Sequence, residues 1–489
     1  MSQTRKQRIE FGDWQTPVGL ADRVCAKLIE LGVEPATVIE PTCGVGAFVN
    51  ASAQIFSTAK IFGFEYNGAY LDTLREQVSG DDRIQLEQAD FFSTDWRKRI
   101  DSMKGPILVI GNFPWVTNSV QGAIGGMNLP EKSNFLQHKG FDAISGKANF
   151  DISEAMMLEV LRWFRDREGT IAMLIKTATA RKILAQVQRQ SIGMREAFLF
   201  SIDAKKEFDA AVEACLLVMR MSGGTHATTS EYMVFDRLDA EHGKRVGHRL
   251  GLTVNDLDLF QEHGHLLGQS PQKWRSGVKH DLSAIMEFTT ADDGFMNGLG
   301  ETVRLERDYL FPLLKGSDIG SDKAWRSKYM LVTQRYVGGS TDAIQRNAPL
   351  TWAYLSTHGE ALDARGSTIY LKNPRFSIFG IGDYAFRPWR IAICGLYKRL
   401  AFRLIGPIDD HPVMFDDTVY YVSFNTEQEA RAVLERLTSQ EAQAFLSSLI
   451  FWDEKRPIKT SVLNLLDWSR IGERMEETSS TGIDLFTRV

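Results

Sequence analysis

The stretch "GPILVIGNFPWVTNS", residues 105–119, ends an apolar run in Asn112, Phe113, Pro114 and Trp115. A strand stopping there delivers an amide, a proline and an indole to one edge of a sheet. Such a trio could grip a flat substrate that carries an amino group. Two acceptors are what is needed to grip both hydrogens of an aromatic amino group. Such a nitrogen is a poor nucleophile, because its lone pair delocalises into the ring. Acceptors aimed at its hydrogens pull it toward tetrahedral geometry and stabilise the charge that develops on reaction. An indole beside them can stack on a flat ring, worth about 1–3 kcal/mol per base. Trp115 could equally close the core.

Three acids sit at the ends of three further strand-like runs: Glu40 in "VIEPTCGVGAFV", Glu65 in "FGFEY" and Asp90 in "QADFF". The first is followed by Gly44 and Gly46, which let the backbone approach a ligand closely and open the next helix. Glu65 lies about twenty residues beyond Gly44, the spacing at which a carboxylate can accept bonds from ribose hydroxyls. Asp90 is placed to bond an adenine amino group, with Phe91 against its ring. Together these features describe a nucleoside ligand. A nicotinamide dehydrogenase would use the first two and has no use for Asn-Phe-Pro-Trp.

The elements that must hold these residues are legible over the first ~220 positions. "ATVIEP", "KIFGFEY", "RIQLEQAD", "PILVIGN" and "TIAMLIKT" read as strands, and "GAYLDTLREQV", "ISEAMMLEVLRWFRD" and "RKILAQVQRQ" carry helical spacing between them. "AFLFSIDA" and "ACLLVMRM" add two strands. This alternation implies an α/β fold with a mostly parallel sheet covered on both faces, and ligands outside the carboxyl ends of its strands. "MSGGTHATTS" (221–230) reads as a linker or surface loop, beyond which no clear alternation continues. The final "EETSSTGIDLFTRV" reads as a fraying tail.

At 489 residues the chain is too long for one ordinary core, so two domains are expected, 1–225 and 226–489. The N-terminus lacks the apolar core of a signal peptide and no run reaches the ~18 apolar residues of a membrane span. Four scattered cysteines without a CxxC pair argue against a zinc site and a disulfide framework, so no metal is expected. The reading is a cytoplasmic protein. Net charge is −5, yet residues 318–405 carry 13 Lys and Arg against 6 Asp and Glu, interleaved with rings in "QRYVGG", "PRFSIFG" and "YAFRPWR". That composition suits a phosphate backbone with bases. Lys279, His280, Lys372, Arg375, Arg387 and Arg390 are the contact candidates.

In order, these motifs resemble the S-adenosylmethionine-dependent N6-adenine DNA methyltransferases of the gamma motif order, as found in bacterial restriction–modification. "FGDWQTPVGLADRV" resembles the leading motif, whose Thr16 and Pro17 would lie near the methionine end of the cofactor. "EPTCGVGAF" resembles the Gly-rich motif, with Glu40, Pro41, Cys43, Gly44, Gly46 and Phe48. "FEY" and "QADFF" correspond to the ribose acid and the adenine contact, and "NFPW" to the catalytic motif. "GKANFDISEAMMLEVL", "GTIAMLIKTATARKIL" and "KKEFDAAVEACLLV" resemble the motifs that complete the sheet, with Phe208 as a second ring on the flipped base. The resemblance implies a Rossmann-like methyltransferase domain with a mostly parallel seven-stranded sheet, followed by a mixed α+β target-recognition domain. It further implies a monomer that binds S-adenosyl-L-methionine and duplex DNA, with a cognate restriction endonuclease as counterpart.

The family's usual proline is replaced here by Phe113. Losing a fixed φ leaves the loop less pre-organised, by about 0.4–1 kcal/mol. Other readings stand beside the leading one: methylation of RNA, of cytosine N4 or of a glutamine amide, and a DNA-binding relative without transfer. Asn112 favours adenine over cytosine N4, for which Ser tends to open the motif.

Overall fold

The computed structural model describes residues 14–115, 152–224 and 229–472, in two compact units divided at Thr253/Val254. The expected reading of residues 476–489 as a fraying tail lies outside the described residues, as do parts of the leading motif, of "GKANFDISEAMMLEVL" and of the 221–230 loop.

In the first unit, helix α1 (Val18–Glu30) leads into β1 (Thr37–Glu40), α2 (Ala47–Ile55), β2 (Lys60–Glu65), α3 (Gly68–Gln77), β3 (Ile84–Gln88), α4 (Trp96–Ser102) and β4 (Ile107–Asn112). Helix α5 (Ile152–Trp163), β5 (Glu168–Lys176), α6 (Thr177–Arg189), β6 (Met194–Ile202), α7 (Ala204–Phe208) and β7 (Ala214–Ser222) follow. Three short strands complete the sheet: β8 (Glu231–Phe235), β9 (Lys244–Arg249) and β10 (Leu252–Val254). The strand order is β10-β9-β8-β6-β7-β5-β4-β1-β2-β3. Strands β3, β2, β1, β4 and β5 run parallel, and β7 is antiparallel to both β5 and β6.

The burial follows from position in the sheet. Strands β1 and β4 lie between parallel neighbours with both faces covered, so "TVIE" and most of "ILVIGN" are buried and read as unbroken apolar runs. Edge strand β3, "IQLEQ", is half-exposed and alternates. Helices α1 and α2 bury Leu20, Val24, Leu28 and Phe48 against Val38 and Leu108 of the sheet.

The α/β expectation holds, and the sheet is larger than the seven strands expected. Strands β8–β10 extend it, and the first unit runs to Thr253, beyond the boundary read at 225. The loop at 221–230 therefore joins two strands of one sheet. Strand β8 pairs parallel with β6 through Phe198–Phe200, and Phe235 stacks on Phe200 with centroids 4.7 Å apart.

The second unit is mixed α+β. One sheet has the order β11-β20-β17-β18, formed by Arg275–Ser276, Val419–Phe424, Trp389–Cys394 and Arg403–Ile405 in that spatial order. The other has the order β14-β13-β12-β16-β15-β19, from Thr302–Val303, Gly294–Asn297, Glu287–Ala291, Lys328–Leu331, Leu310–Leu314 and Met414–Phe415. Helix Glu427–Thr438 opens on a capping box between Thr426 and Glu429, which satisfies two of its free backbone N–H groups.

Candidate active site

The carboxyl ends of β1, β2 and β4, with the turn after β3, bring the sequence-picked residues of the first unit to one edge. The turn after β1 carries Gly44 and Gly46 at φ +52° and +90°, a backbone that side chains rarely adopt. Space is short there as well. A Cβ on Gly44 would stand 2.5 Å from Gln15 Oε1, and one on Gly46 2.1 Å from Leu74 Cδ1. Gly46 then opens α2, within which Phe48 is fully buried.

Glu65 faces this turn. Its Oε2 accepts from Gly44 N at 2.9 Å and its Oε1 from Asn67 N at 2.8 Å. Each oxygen keeps a further lone pair. Asp90 closes its own turn by accepting from Phe92 N at 2.8 Å. Glu40 is different. It is 3% exposed, and its Oε2 is buried with no hydrogen-bond partner. Burial pushes its carboxyl well above the usual carboxylate range, against a backbone hydrogen bond from Val49, and nearby Glu65 pushes it further up. Cys43 is buried beside it, and desolvation raises its thiol too, so it is no thiolate nucleophile.

Asn112 ends β4, next to β1. Its Nδ2 donates to the Trp14 carbonyl at 3.0 Å and to Thr16 Oγ1 at 3.3 Å. A backbone carbonyl can only accept, so these bonds fix which way the amide faces. Asn112 Oδ1 is left buried and without a partner. The segment just before α1 thus orients the amide, with Pro17 as the cap residue where that helix begins.

Phe113 is 1% exposed, and its ring meets Phe91 edge-on at 5.6 Å. Phe91 in turn packs on Trp96 and Trp163. A buried ring therefore anchors the turn at the position where a proline would have stiffened it. Trp115 and Phe208, which the resemblance places on opposite faces of a base, meet each other edge to face: centroids lie 4.9 Å apart at 68°. No flat ring fits between them in this arrangement. Trp115 Nε1 is buried and without a partner.

No family model matches the chain. Against curated proteins it is 46% identical over 469 residues to the Type II methyltransferase M.NspV of Nostoc sp., covering 94% of this chain and 97% of that one. The chain belongs to the Type II methyltransferases. A second relative, the Type II methyltransferase M.CvrRI of a Paramecium bursaria Chlorella virus, is 27% identical over 114 residues, 23% of this chain and 27% of its own. Among solved structures, the Type IIL restriction–modification enzyme MmeI in complex with DNA superposes with a TM-score of 0.56 at 12% identity. The match covers 94% of this chain and 69% of MmeI and shows a shared fold.

In the second unit of this Type II methyltransferase the candidate DNA contacts divide. Lys372 is exposed. Lys279 is half-buried, with Nζ 3.5 Å from Asp281. Arg375 is half-exposed and pairs with Asp363 at 2.8 Å. Arg387 Nη1 donates to the Ser423 carbonyl at 3.3 Å.

His280 and Arg390 are not surface groups, which corrects the sequence reading. His280 is 7% exposed; its Nδ1 accepts from Leu282 N at 3.2 Å and its Nε2 lies 3.4 Å from Glu287. Arg390 sits on central strand β17, fully buried, donating to the Ala385 and Pro388 carbonyls. Burial lowers its guanidinium to about 10. A cation so placed braces the β17 region and cannot reach a phosphate.

Two contributors escaped sequence reasoning: Trp14, acting through its carbonyl, and Gln15, whose Oε1 accepts from Val45 N at 3.2 Å over the Gly-rich turn. Their adjacency to Thr16-Pro17 was the available signal.

Proposed function

We propose that this chain is a site-specific adenine-N6 methyltransferase that uses S-adenosyl-L-methionine and acts on an adenine flipped out of duplex DNA. One observation carries the reading: with Nδ2 held by the Trp14 and Thr16 bonds, Asn112 Oδ1 is a buried acceptor with nothing to accept from. Leaving such an atom unsatisfied costs about 1–3 kcal/mol, which a ligand amino group would recover. With the Phe113 carbonyl it forms the pair of acceptors that activates an exocyclic nitrogen. Asn112 holds one hydrogen of the amino group and the Phe113 carbonyl the other, while Trp115 and Phe208 part to take the base between them.

The residues present fit the cofactor. Glu40 has a buried oxygen suited to a cationic amino group, the Gly44–Gly46 turn admits close backbone approach, and Glu65 retains lone pairs for hydroxyls. Thr16, Pro17, Pro41, Cys43, Phe48, Asp90 and Phe91 line the same edge in this reading. The cofactor supplies an activated methyl on a sulfonium. A cognate endonuclease and a monomeric, cytoplasmic enzyme complete the proposal.

The test is transfer of labelled methyl from S-adenosylmethionine to mixed-sequence duplex DNA, followed by nucleoside analysis. Label in N6-methyladenine at one recurrent motif is the expected result. Label in N4-methylcytosine, or no label in DNA when RNA offered in parallel is labelled, overturns the adenine assignment.

A further inference from the structure

Lys372 is exposed and, among the described residues, has no carboxylate partner; a loop of the second unit carries a second such cation, Arg335. Residues 333–341 form a loop whose two ends are pinned to one segment. Thr333 Oγ1 donates to the Phe376 carbonyl at 2.8 Å, and Thr341 Oγ1 to the Arg375 carbonyl at 2.7 Å. Between these anchors the tip is a tight turn. Gly339 N donates to the Tyr336 carbonyl at 3.0 Å, Gln334 Nε2 donates to the same oxygen at 2.8 Å, and Gly338 takes φ +83°.

The tip is rigidly built yet apolar. Tyr336 is 63% exposed and Val337 47%, although a globular chain gains by burying both. A Cβ on Gly339 would lie 3.3 Å from the Tyr336 ring, so the ring rests on the glycine backbone and is held up. The Arg335 guanidinium is steadied 4.2 Å over the Phe386 ring while the residue stays exposed. On the anchoring segment, Leu371 is 78% exposed beside Lys372. Residues 333–341 and 366–382 contain Arg335, Lys372 and Arg375 and no Asp or Glu. Among the described residues, neither Arg335 nor Lys372 forms an ion pair.

We infer that this pinned loop is the base-reading element for duplex DNA: Arg335 and Lys372 hold phosphates, and the Tyr336–Val337 tip enters a groove to meet base edges. The charge selects the occupant. Arg375 is already neutralised by Asp363, while Arg335 and Lys372 form no ion pair among the described residues; a phosphate backbone supplies anions for both and bases supply a flat apolar surface for the tip. The inference rests on the DNA substrate proposed above.

The experiment uses the full chain. Genomic DNA is methylated in vitro by wild type, Tyr336→Ala, and the double variant Arg335→Ala/Lys372→Ala, and methylated positions are mapped. Affinity for a duplex carrying the mapped site is then measured over a salt series. Tyr336→Ala should relax the methylated motif at one or more positions, with at least tenfold loss of preference over a changed site. The double variant should keep the motif, bind more weakly, and reduce the slope of log affinity against log salt by about 2, at about 0.9 per phosphate contact. Their exposure makes loss of folding an unsuitable explanation, and unchanged thermal midpoints check that. Wild-type motif, preference and salt slope in both variants overturn the inference while leaving the adenine reading intact. No methylation of DNA by wild type overturns the adenine reading, and this inference with it.

Discussion

Four polar side chains stand at the carboxyl edge of the first sheet, and they fall into two pairs. Glu65, ending β2, accepts from the turn after β1 at Gly44 and from its own turn at Asn67, and Asp90, after β3, accepts from its own turn at Phe92. Glu40 and Asn112, on the neighbouring strands β1 and β4, each keep one buried oxygen with no partner. The outer pair builds the turns. The inner pair carries a cost in the ligand-free fold that local structure could have avoided, and carrying it makes sense where a ligand completes the bonding.

The sharpest way to break this contrast is Asn112→Ala. If the unpartnered oxygen is the acceptor for the amino group, methyl transfer should fall by about 100-fold or more, as when one preorganised hydrogen-bonding group is removed from a catalytic site. Cofactor affinity, read by calorimetry, should hold. Near-wild-type transfer would show that the oxygen is idle.

Thr16→Val asks what holds the Asn112 amide in its orientation. It deletes the 3.3 Å bond and retains the shape. Loss of about 1 kcal/mol of orientation predicts a drop in kcat of roughly fivefold with KM for the cofactor unmoved, restored by Thr16→Ser. A rise in that KM instead would move Thr16 from the amide to the cofactor.

Glu40→Gln has the smallest effect and the most informative sign. The folded chain holds the Glu40 proton to higher pH than its ordinary 4.5, and the unfolded chain releases it first. Stability is therefore lost as pH rises from about 4.5 toward the folded value. The Gln variant escapes that loss. Its cofactor-free thermal midpoint should exceed wild type at pH 8 and match it at pH 4, while cofactor binding weakens. A lower midpoint at pH 8 would mean the carboxylate is compensated after all.

How much of this was readable beforehand depended on how each residue works. That Glu40, Glu65 and Asn112 end strands was legible because parallel strands appear as apolar runs bounded by turn signals, and Asp90 because the alternating edge strand β3 stops just before it. Phe113 looked like a weakened proline, since a sequence does not reveal that its ring enters a buried aromatic cluster. Trp14 acts through a carbonyl, which every residue has, so only its place beside Thr16-Pro17 marked it. Arg390 looked like a surface cation because it stands among other basic residues; only the pairing of β17 between β18 and β20 shows it enclosed. Strands β8–β10 were missed because they are short and half-exposed and follow no helix.

Those three strands bear on how the chain can be divided. Without them, β6 would show a row of unpaired backbone groups, and the Phe200 ring would lose the Phe235 ring that stacks on it. A raw edge flanked by exposed rings is a template for adding a strand from another molecule, the first step toward aggregation. Severing the polypeptide at 225 creates that edge, while severing it after Thr253 keeps it covered. The first unit of this protein therefore includes a segment that guards the sheet's flank.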